Sequence, residues 1–98
     1  MLERNFQRSL IAELKKRFEG CVVLKNDARY LQGIPDLSVF YYDKWAVLEC
    51  KDSMSASKRP NQDYYISKMN EMSFGRFICP ENREEVLNDL SDYFKSGR

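Results

Sequence analysis

Residues 33–51 read GIPDLSVFYYDKWAVLECK. It holds two segments rich in β-forming residues, 37–42 and 45–51, on either side of the dipeptide Asp43-Lys44. Two such segments joined by a short polar turn are typical of a β-hairpin. We therefore predict two antiparallel strands, with Asp43 and Lys44 forming the turn between them.

The predicted hairpin brings three charged side chains together. A two-residue turn at 43–44 places Asp36 opposite Lys51, with Glu49 one step along the same strand face. Opposed residues share a face of the sheet and side chains alternate with period 2, so Asp36, Glu49 and Lys51 lie on one face at one end. Diagonal Cβ atoms are about 7 Å apart, and magnesium takes oxygen ligands at about 2.1 Å. Both carboxylates can therefore reach one metal ion.

The position of this charged group in its strand is unusual. The strand is strongly apolar until Glu49 and Lys51, and buried charges are costly unless they partner each other or a metal. The alternative is a simple exposed Glu–Lys end to the hairpin. Ahead of the group, Pro35 fixes the entry of the chain into the first strand, and Gly33 allows close approach of backbone or ligand.

The flanking sequence predicts helices and two further strands. Apolar residues recur at helical spacing over 2–18, a short strand covers 21–25, and a helix capped by Asn61 runs to about Met72. A strand at 76–79 and a helix at 81–95 follow. The order α-β-β-β-α-β-α predicts an α/β fold, with a mixed β-sheet flanked by helices in a single domain over 1–98.

Three helical residues are candidates to join the charged group. At 100° per residue, Glu3 falls near the middle of the apolar stripe of its helix, so we expect it to face the sheet where the hairpin acids lie. Glu13 lies at the edge of that stripe and is the second candidate. Gln62 leads the apolar row of the second long helix, and it either orients a ligand, a water or the acids, or merely begins the helix.

The amino-acid composition excludes several classes of catalytic site. The chain has no histidine, which excludes Ser-His-Asp and Cys-His hydrolases and nucleases that bind metal through histidine. A hydrolase made from this sequence must use carboxylates, lysine and a hard metal ion. Cys21, Cys50 and Cys79 are isolated and lack C-x-x-C spacing, so we interpret them as small buried hydrophobic residues rather than as a zinc site or a disulfide framework.

The net charge of +1 does not by itself indicate nucleic-acid binding. The basic residues concentrate within 1–60, which would suit a phosphate backbone, although from charge alone a solvated surface is the better explanation. No apolar run approaches the roughly 20 residues needed to span a bilayer. Glu3 and Arg4 precede any apolar stretch, unlike in a signal peptide, so we expect a cytoplasmic protein without membrane association.

The whole pattern resembles the signature of PD-(D/E)xK nucleases. The G-x-P-D form that begins at Gly33, followed by E-C-K ending at Lys51, is similar to the VRR-NUC family, whose small phage and bacterial members resemble Holliday-junction resolvases. Members of that family also carry a glutamate at the start of the first helix and a glutamine at the start of the helix after the E-x-K strand, where Glu3 and Gln62 stand. The resemblance extends to about Pro80.

The resemblance implies a restriction-endonuclease-like fold and a site for Mg²⁺, for which Mn²⁺ would substitute. The ligands it implies are the carboxylates of Glu3, Asp36 and Glu49 with the backbone carbonyl of Cys50. Lys51 would orient or deprotonate the attacking water, and Gln62 completes the implied catalytic set. Loop residues flanking the site are expected to contact DNA: Arg29, Tyr30, Lys58 and Arg59.

The implied function is metal-dependent, structure-specific DNA cleavage in a bacterial or phage-infected cell. A homodimer would present two active sites to a Holliday or similar four-way junction, which shares its two-fold symmetry. Three alternatives stay open: a flap, fork or nicking nuclease, a non-catalytic DNA-binding module of the same fold, and a structural or interaction protein in which E-C-K is accidental.

Overall fold

The computed structural model describes residues 2–96. Its elements are α1 (Glu3–Arg17), β1 (Val22–Lys25), β2 (Leu37–Tyr41), β3 (Lys44–Cys50), α2 (Gln62–Met72), β4 (Gly75–Ile78) and α3 (Arg83–Lys95). The predicted order of helices and strands is confirmed, with bounds that differ by up to two residues. Among the described residues, no helix has the length and apolar character needed to cross a membrane.

The four strands form one mixed sheet in the order β1-β2-β3-β4. The first three strands are antiparallel neighbours, whereas β3 and β4 run parallel. Parallel neighbours require a crossover connection, and α2 provides it between β3 and β4. The protein is therefore a small α/β domain in which the predicted hairpin supplies two of the four strands.

The hairpin turn differs from the prediction. Tyr41 pairs with Lys44, so the turn is Tyr42-Asp43 rather than Asp43-Lys44. Tyr42 adopts the left-handed backbone region, with φ 56°. Lys44 is held in β3 because its Nζ donates to the carbonyl of Tyr93 at 2.9 Å, near the end of α3. The register moves by two residues, which leaves every side chain on its predicted face.

The helices cover the two faces of the sheet unequally. The main core lies between the sheet and the helices α1 and α3, and its members are Phe6, Leu10, Leu14, Phe18, Leu37, Val39, Ala46, Leu48, Cys50, Phe74, Ile78, Val86, Leu87, Leu90 and Phe94. On the opposite face α2 buries Val47, Glu49 and Lys51 beside its own Gln62 and Ile66. Of the other cysteines, Cys79 is buried as predicted and Cys21 is half-buried.

The start of α2 packs tightly against the loop before β2. Gly33 has φ +90°, and a Cβ built there would lie 2.5 Å from the Cβ of Asn61. The predicted close backbone approach at Gly33 is therefore confirmed. The predicted cap at Asn61 is wrong, because this residue lies in the left-handed region with φ 75° and its side chain makes no capping hydrogen bond.

Candidate metal centre

Three carboxylates converge at one end of the sheet. Oxygen atoms of Glu3, Asp36 and Glu49 all lie within 4.8 Å of one another. The pairing of Leu37 with Leu48 places Asp36, one residue before β2, directly opposite Glu49 rather than diagonal to it. Directly opposed side chains in antiparallel strands share a face with Cβ atoms about 5 Å apart, so the hairpin itself brings these two acids together.

Glu3 reaches the other acids by a different route from the one we predicted. The apolar stripe of α1 packs on the face of the sheet that holds Cys50. Because side chains alternate along β3, Glu49 faces the other way. Glu3 is exposed at the first position of α1, and its carboxylate meets Asp36 and Glu49 at the end of the sheet. The apolar stripe therefore does not face the acids, although Glu3 joins them.

Glu13, the second candidate on α1, lies elsewhere. Its carboxylate pairs with Arg17 at 3.2 Å and approaches Arg83 of α3 at 4.0 Å. This side chain therefore ties α1 to α3 and takes no part in the acidic group.

Hydrogen bonds orient two of the carboxylates. Asp36 Oδ2 accepts the backbone N–H of Cys50 at 2.9 Å, and Glu49 Oε1 accepts the N–H of Asp36 at 3.2 Å. Since the N–H and C=O of one strand residue point to the same side, the carbonyl of Cys50 also faces the edge where Asp36 lies. The thiol of Cys50 is buried in the core, and that burial raises its pKa. Oxygen atoms rather than sulfur therefore face the acids.

Gln62 connects Glu49 to Lys51. Its Nε2 donates to Glu49 Oε2 at 3.0 Å, and its Oε1 accepts from Lys51 Nζ at 2.8 Å. The same Oε1 accepts the backbone N–H of Arg59 at 2.9 Å, and Lys51 Nζ also donates to the carbonyl of Ser57 at 3.1 Å. The amide of Gln62 thus orients both charged side chains as well as beginning α2.

Glu49 and Lys51 are buried, so the alternative of a simple exposed Glu–Lys end to the hairpin is wrong. Glu49 is 3% exposed and Lys51 is 8% exposed. Their charges have no direct ion pair between them in the described residues, since Lys51 donates only to neutral oxygens. Burying a lysine and a glutamate is costly, and the amide of Gln62 offsets part of that cost because it gives both side chains a hydrogen-bond partner. Every buried side-chain nitrogen and oxygen atom of the described residues has such a partner.

The electrostatics of the three acids are those of a group that could hold a cation. Burial, with a further contribution from Asp36, raises the pKa of Glu49 to about 8. Burial also raises the pKa of Asp36, and burial followed by the charge of Asp36 raises that of Glu3, while the ammonium group of Lys51 opposes all three shifts. Three acids that resist ionisation together would be stabilised by a positive ion between them. An all-oxygen donor set fits a hard divalent cation such as Mg²⁺ or Mn²⁺.

The acids open into a cleft of about 430 Å³. Its walls come from α1, from the loop before β2 and from the loop between β3 and α2. The lining residues are Glu3, Ala28, Gln32, Gly33, Ile34, Asp36, Glu49, Lys51, Asp52, Ala56, Ser57, Arg59 and Gln62. All five residues that the sequence motif singled out for catalysis therefore border a single space.

The predicted DNA contacts divide into two groups. Arg59 lines the cleft, and its charge lowers the pKa of Glu3 and of Asp36 against the larger effect of burial. Lys58 does not line the cleft, because its Nζ lies 4.4 Å from the centre of the Phe77 ring, beside a second, smaller cavity. The neighbouring basic residues of this loop thus serve different surfaces.

Arg29 and Tyr30 do not line the cleft, although they belong to a loop that forms part of its wall. Ala28, directly before Arg29, and Gln32, two residues after Tyr30, contribute to the cleft wall. Arg29 pairs with Asp27 at 3.1 Å. The side chains of Arg29 and Tyr30 are both exposed to solvent.

Three contributors to the centre were not predicted. Asp52 lines the cleft, the carbonyl of Ser57 accepts from Lys51, and Asn26 Nδ2 donates to the carbonyl of Pro35 at 2.9 Å. Asp52 and Ser57 lie beyond the end of β3, where alternation no longer predicts the direction of a side chain. For Asn26, the sequence did contain an indication of its role. It lies directly after β1, and β1 is the neighbour of β2 in the sheet.

Comparisons of this chain with protein-family models, with curated proteins and with solved structures gave no match. In the geometry of the centre a buried lysine and three acids share one cleft, and a glutamine holds two of the four in place.

Proposed function

We propose that this protein is a metal-dependent DNA endonuclease of the PD-(D/E)xK type, with a restriction-endonuclease-like fold similar to that of the VRR-NUC family. The observation that carries the proposal is the group of three carboxylates within 4.8 Å, formed by Glu3, Asp36 and Glu49 beside the buried Lys51. The α/β topology is compatible with that fold, and the motif stands at the expected end of its hairpin.

The residues of the centre have two kinds of role in this proposal, metal binding and stabilisation of the reacting groups. The three carboxylates and the carbonyl of Cys50 would hold Mg²⁺ or Mn²⁺. When bound, the cation supplies Lewis-acid polarisation of the scissile phosphate and a more acidic water. Lys51 is held by Gln62 and Ser57 with its ammonium group at the cleft, where it would orient the attacking water and stabilise negative charge on the phosphate.

The substrate we propose is branched DNA, in particular a four-way junction. A domain of this size has no separate sequence-reading unit, so it would recognise the shape and the phosphate backbone of DNA. Arg59 in the cleft wall provides a positive charge for a phosphate. A homodimer would offer two such clefts to a junction with two-fold symmetry. Flaps, forks and nicked duplexes are the alternative substrates.

The deciding experiment is cleavage of a labelled synthetic four-way junction beside linear duplex and single strand, with Mg²⁺, Mn²⁺ or EDTA. The wild-type chain is compared with Asp36→Asn, which keeps the size of the side chain and removes its charge. Asp89→Asn, an exposed position on α3, is the matched control. Paired, metal-dependent nicks in the junction that Asp36→Asn loses and Asp89→Asn keeps would support a dimeric resolvase.

Two other results would change the proposal. Cleavage of every substrate would keep the nuclease and remove the preference for junctions. Junction binding without cleavage under any metal would replace the nuclease by a DNA-binding module of the same fold.

A further inference from the structure

The loop between β1 and β2 carries a protruding aromatic residue beside the cleft. Tyr30 is 88% exposed, and among residues 2–96 no other aromatic ring packs against it. Ala28 and Gln32, two residues to either side, line the cleft together with Asp36. Tyr30 therefore lies in a loop whose neighbouring residues form part of the cleft wall, and its side chain is largely accessible to a ligand.

The backbone of this loop is well ordered by its own contacts. The N–H of Tyr30 donates to the carbonyl of Asp27 at 3.0 Å, and a second turn follows in which Ile34 donates to Leu31 at 3.2 Å. Beyond these turns, Gly33 packs against the start of α2. A backbone held by two turns and a close contact loses little conformational entropy when the side chain it carries binds a ligand.

The charges at the tip of the loop balance each other. Arg29 donates from Nε to Asp27 Oδ1 and from Nη2 to Asp27 Oδ2, both at 3.1 Å. The backbone N–H of Arg29 donates to the same carboxylate at 2.9 Å. Since the charges of Arg29 and Asp27 cancel, the tip offers an aromatic surface with no net positive charge. Its contribution to binding would come from stacking.

We propose that Tyr30 stacks on a base whose face is exposed by an interruption of duplex stacking, and that this contact directs the centre to branched or unpaired DNA. In continuous duplex both faces of each base are covered by neighbouring bases. At a branch point or an unpaired nucleotide a face is free, and stacking between a base and an aromatic ring is favourable for any base. The position of the cut relies on the proposed nuclease function, whereas the stacking contact does not.

The test uses a duplex with one unpaired 2-aminopurine, whose fluorescence falls when it stacks, and a fully paired duplex of the same sequence. Binding of the whole chain is measured with Ca²⁺ in place of Mg²⁺. Wild type and Tyr30→Phe should quench the probe and bind the unpaired duplex about tenfold more tightly than the paired one. Tyr30→Ala should lose the quenching and the preference, with an unchanged salt dependence, because no phosphate contact is removed.

Tyr64→Ala is the matched control, since Tyr64 is a 57% exposed aromatic residue on α2 beside a different cavity. It should behave as wild type. Quenching and preference that survive Tyr30→Ala would overturn the proposal. So would a change in the sedimentation of the DNA-free chain caused by Tyr30→Ala, because the ring would then belong to a protein interface.

The two proposals fail in different ways. If quenching depends on Tyr30 but no substrate is cleaved with Mg²⁺ or Mn²⁺, the stacking contact stands and the nuclease does not. If Tyr30→Ala cleaves branched and continuous DNA as wild type does, the nuclease stands and the role of Tyr30 is refuted.

Discussion

Nε2 of Gln62 donates a 3.0 Å hydrogen bond to Oε2 of Glu49, and both side chains are at most 8% exposed. This bond joins the first residue of α2 to the penultimate residue of β3. The other end of the same amide accepts from Lys51 at 2.8 Å. The start of α2 therefore determines how the acid and the ammonium group are presented to the cleft.

Replacement of Gln62 by methionine, which has a similar length, should remove these two hydrogen bonds, and the one that Oε1 accepts from the N–H of Arg59, without leaving a large cavity. Loss of a residue that orients metal ligands typically costs 10- to 100-fold in metal affinity or activity. We expect a decrease of that size in Mg²⁺ affinity by calorimetry and in the rate of junction cleavage. Ser67→Ala, at an exposed position on the same helix, should have no effect. Wild-type affinity in Gln62→Met would show that the bond does not orient Glu49.

Removal of the buried ammonium group should separate catalysis from metal binding. Lys51→Met is expected to lower cleavage by at least about 100-fold, the usual effect of losing one group that stabilises transition-state charge. Mg²⁺ affinity should stay the same or rise, because a positive charge beside the three acids is lost. Lys51→Arg should not restore cleavage, since a planar guanidinium group does not reproduce the bonds to Gln62 and Ser57. Lys68→Met on the exposed side of α2 is the control.

The raised pKa of Glu49 predicts that the metal-free protein loses stability as pH rises. Its pKa is about 8 in the folded protein against an ordinary 4.5, so the folded state binds more protons than the unfolded state between these values. The contribution of Glu49 to stability is full below pH 4.5 and is lost as pH rises through about 8. We expect the Tm in EDTA to fall by more than about 5 °C over that range, since 1 kcal/mol corresponds to roughly 4–8 °C in a domain of this size.

Two comparisons test the origin of that pH dependence. Glu49→Gln should flatten the curve of Tm against pH, whereas Glu13→Gln should not. Mg²⁺ should raise the Tm more at pH 8.5 than at pH 5.5, because the cation competes with protons for the same carboxylates. A Tm in EDTA that is constant from pH 5 to 9 would refute the predicted proton uptake.

Alanine substitutions at the two glycines with positive φ distinguish the cost of steric crowding from the cost of backbone strain. Gly33 and Gly20 have φ of +90° and +89°, but a Cβ at Gly33 would lie 2.5 Å from Asn61, whereas at Gly20 nothing lies within 4 Å. Gly20→Ala should therefore cost only the strain of a positive φ, about 1 kcal/mol. Gly33→Ala should cost several times more and also displace Asp36, with loss of Mg²⁺ binding. Equal losses of stability in urea unfolding would show that the contact with Asn61 is unimportant.

The sequence predicted the order of the elements and the common face of Asp36, Glu49 and Lys51 because both depend on local patterns. Alternation along a strand has period 2, and the observed shift of the hairpin register by two residues preserves it. The register itself was not predictable. In the observed register Lys44 lies in β3 rather than in the turn, and its Nζ donates to the carbonyl of Tyr93, a residue 49 positions away.

Local sequence patterns also did not predict how Glu3 comes to lie beside the other two acids. The apolar stripe of α1 is visible in the sequence, but the face of the sheet on which it packs is not. The loop from 51 to 61 has no periodicity. The sequence therefore did not predict that Arg59 lines the cleft while Lys58 packs on Phe77. In both cases the direction of a side chain depends on contacts between segments that are distant along the chain.

The sequence by itself thus determined which residues can form the centre: the acids and the lysine on one hairpin face, with Glu3 and Gln62 at two helix starts. Their hydrogen bonds and their burial, in contrast, depend on how the segments pack in the tertiary structure. The bridge from Glu49 through Gln62 to Lys51, the burial that raises the pKa of Glu49, and the exposure of Tyr30 beside the cleft all arise there. The physical reason is that alternation and helical phase are properties of a short stretch of backbone, whereas burial and long-range hydrogen bonds exist only after the segments have packed.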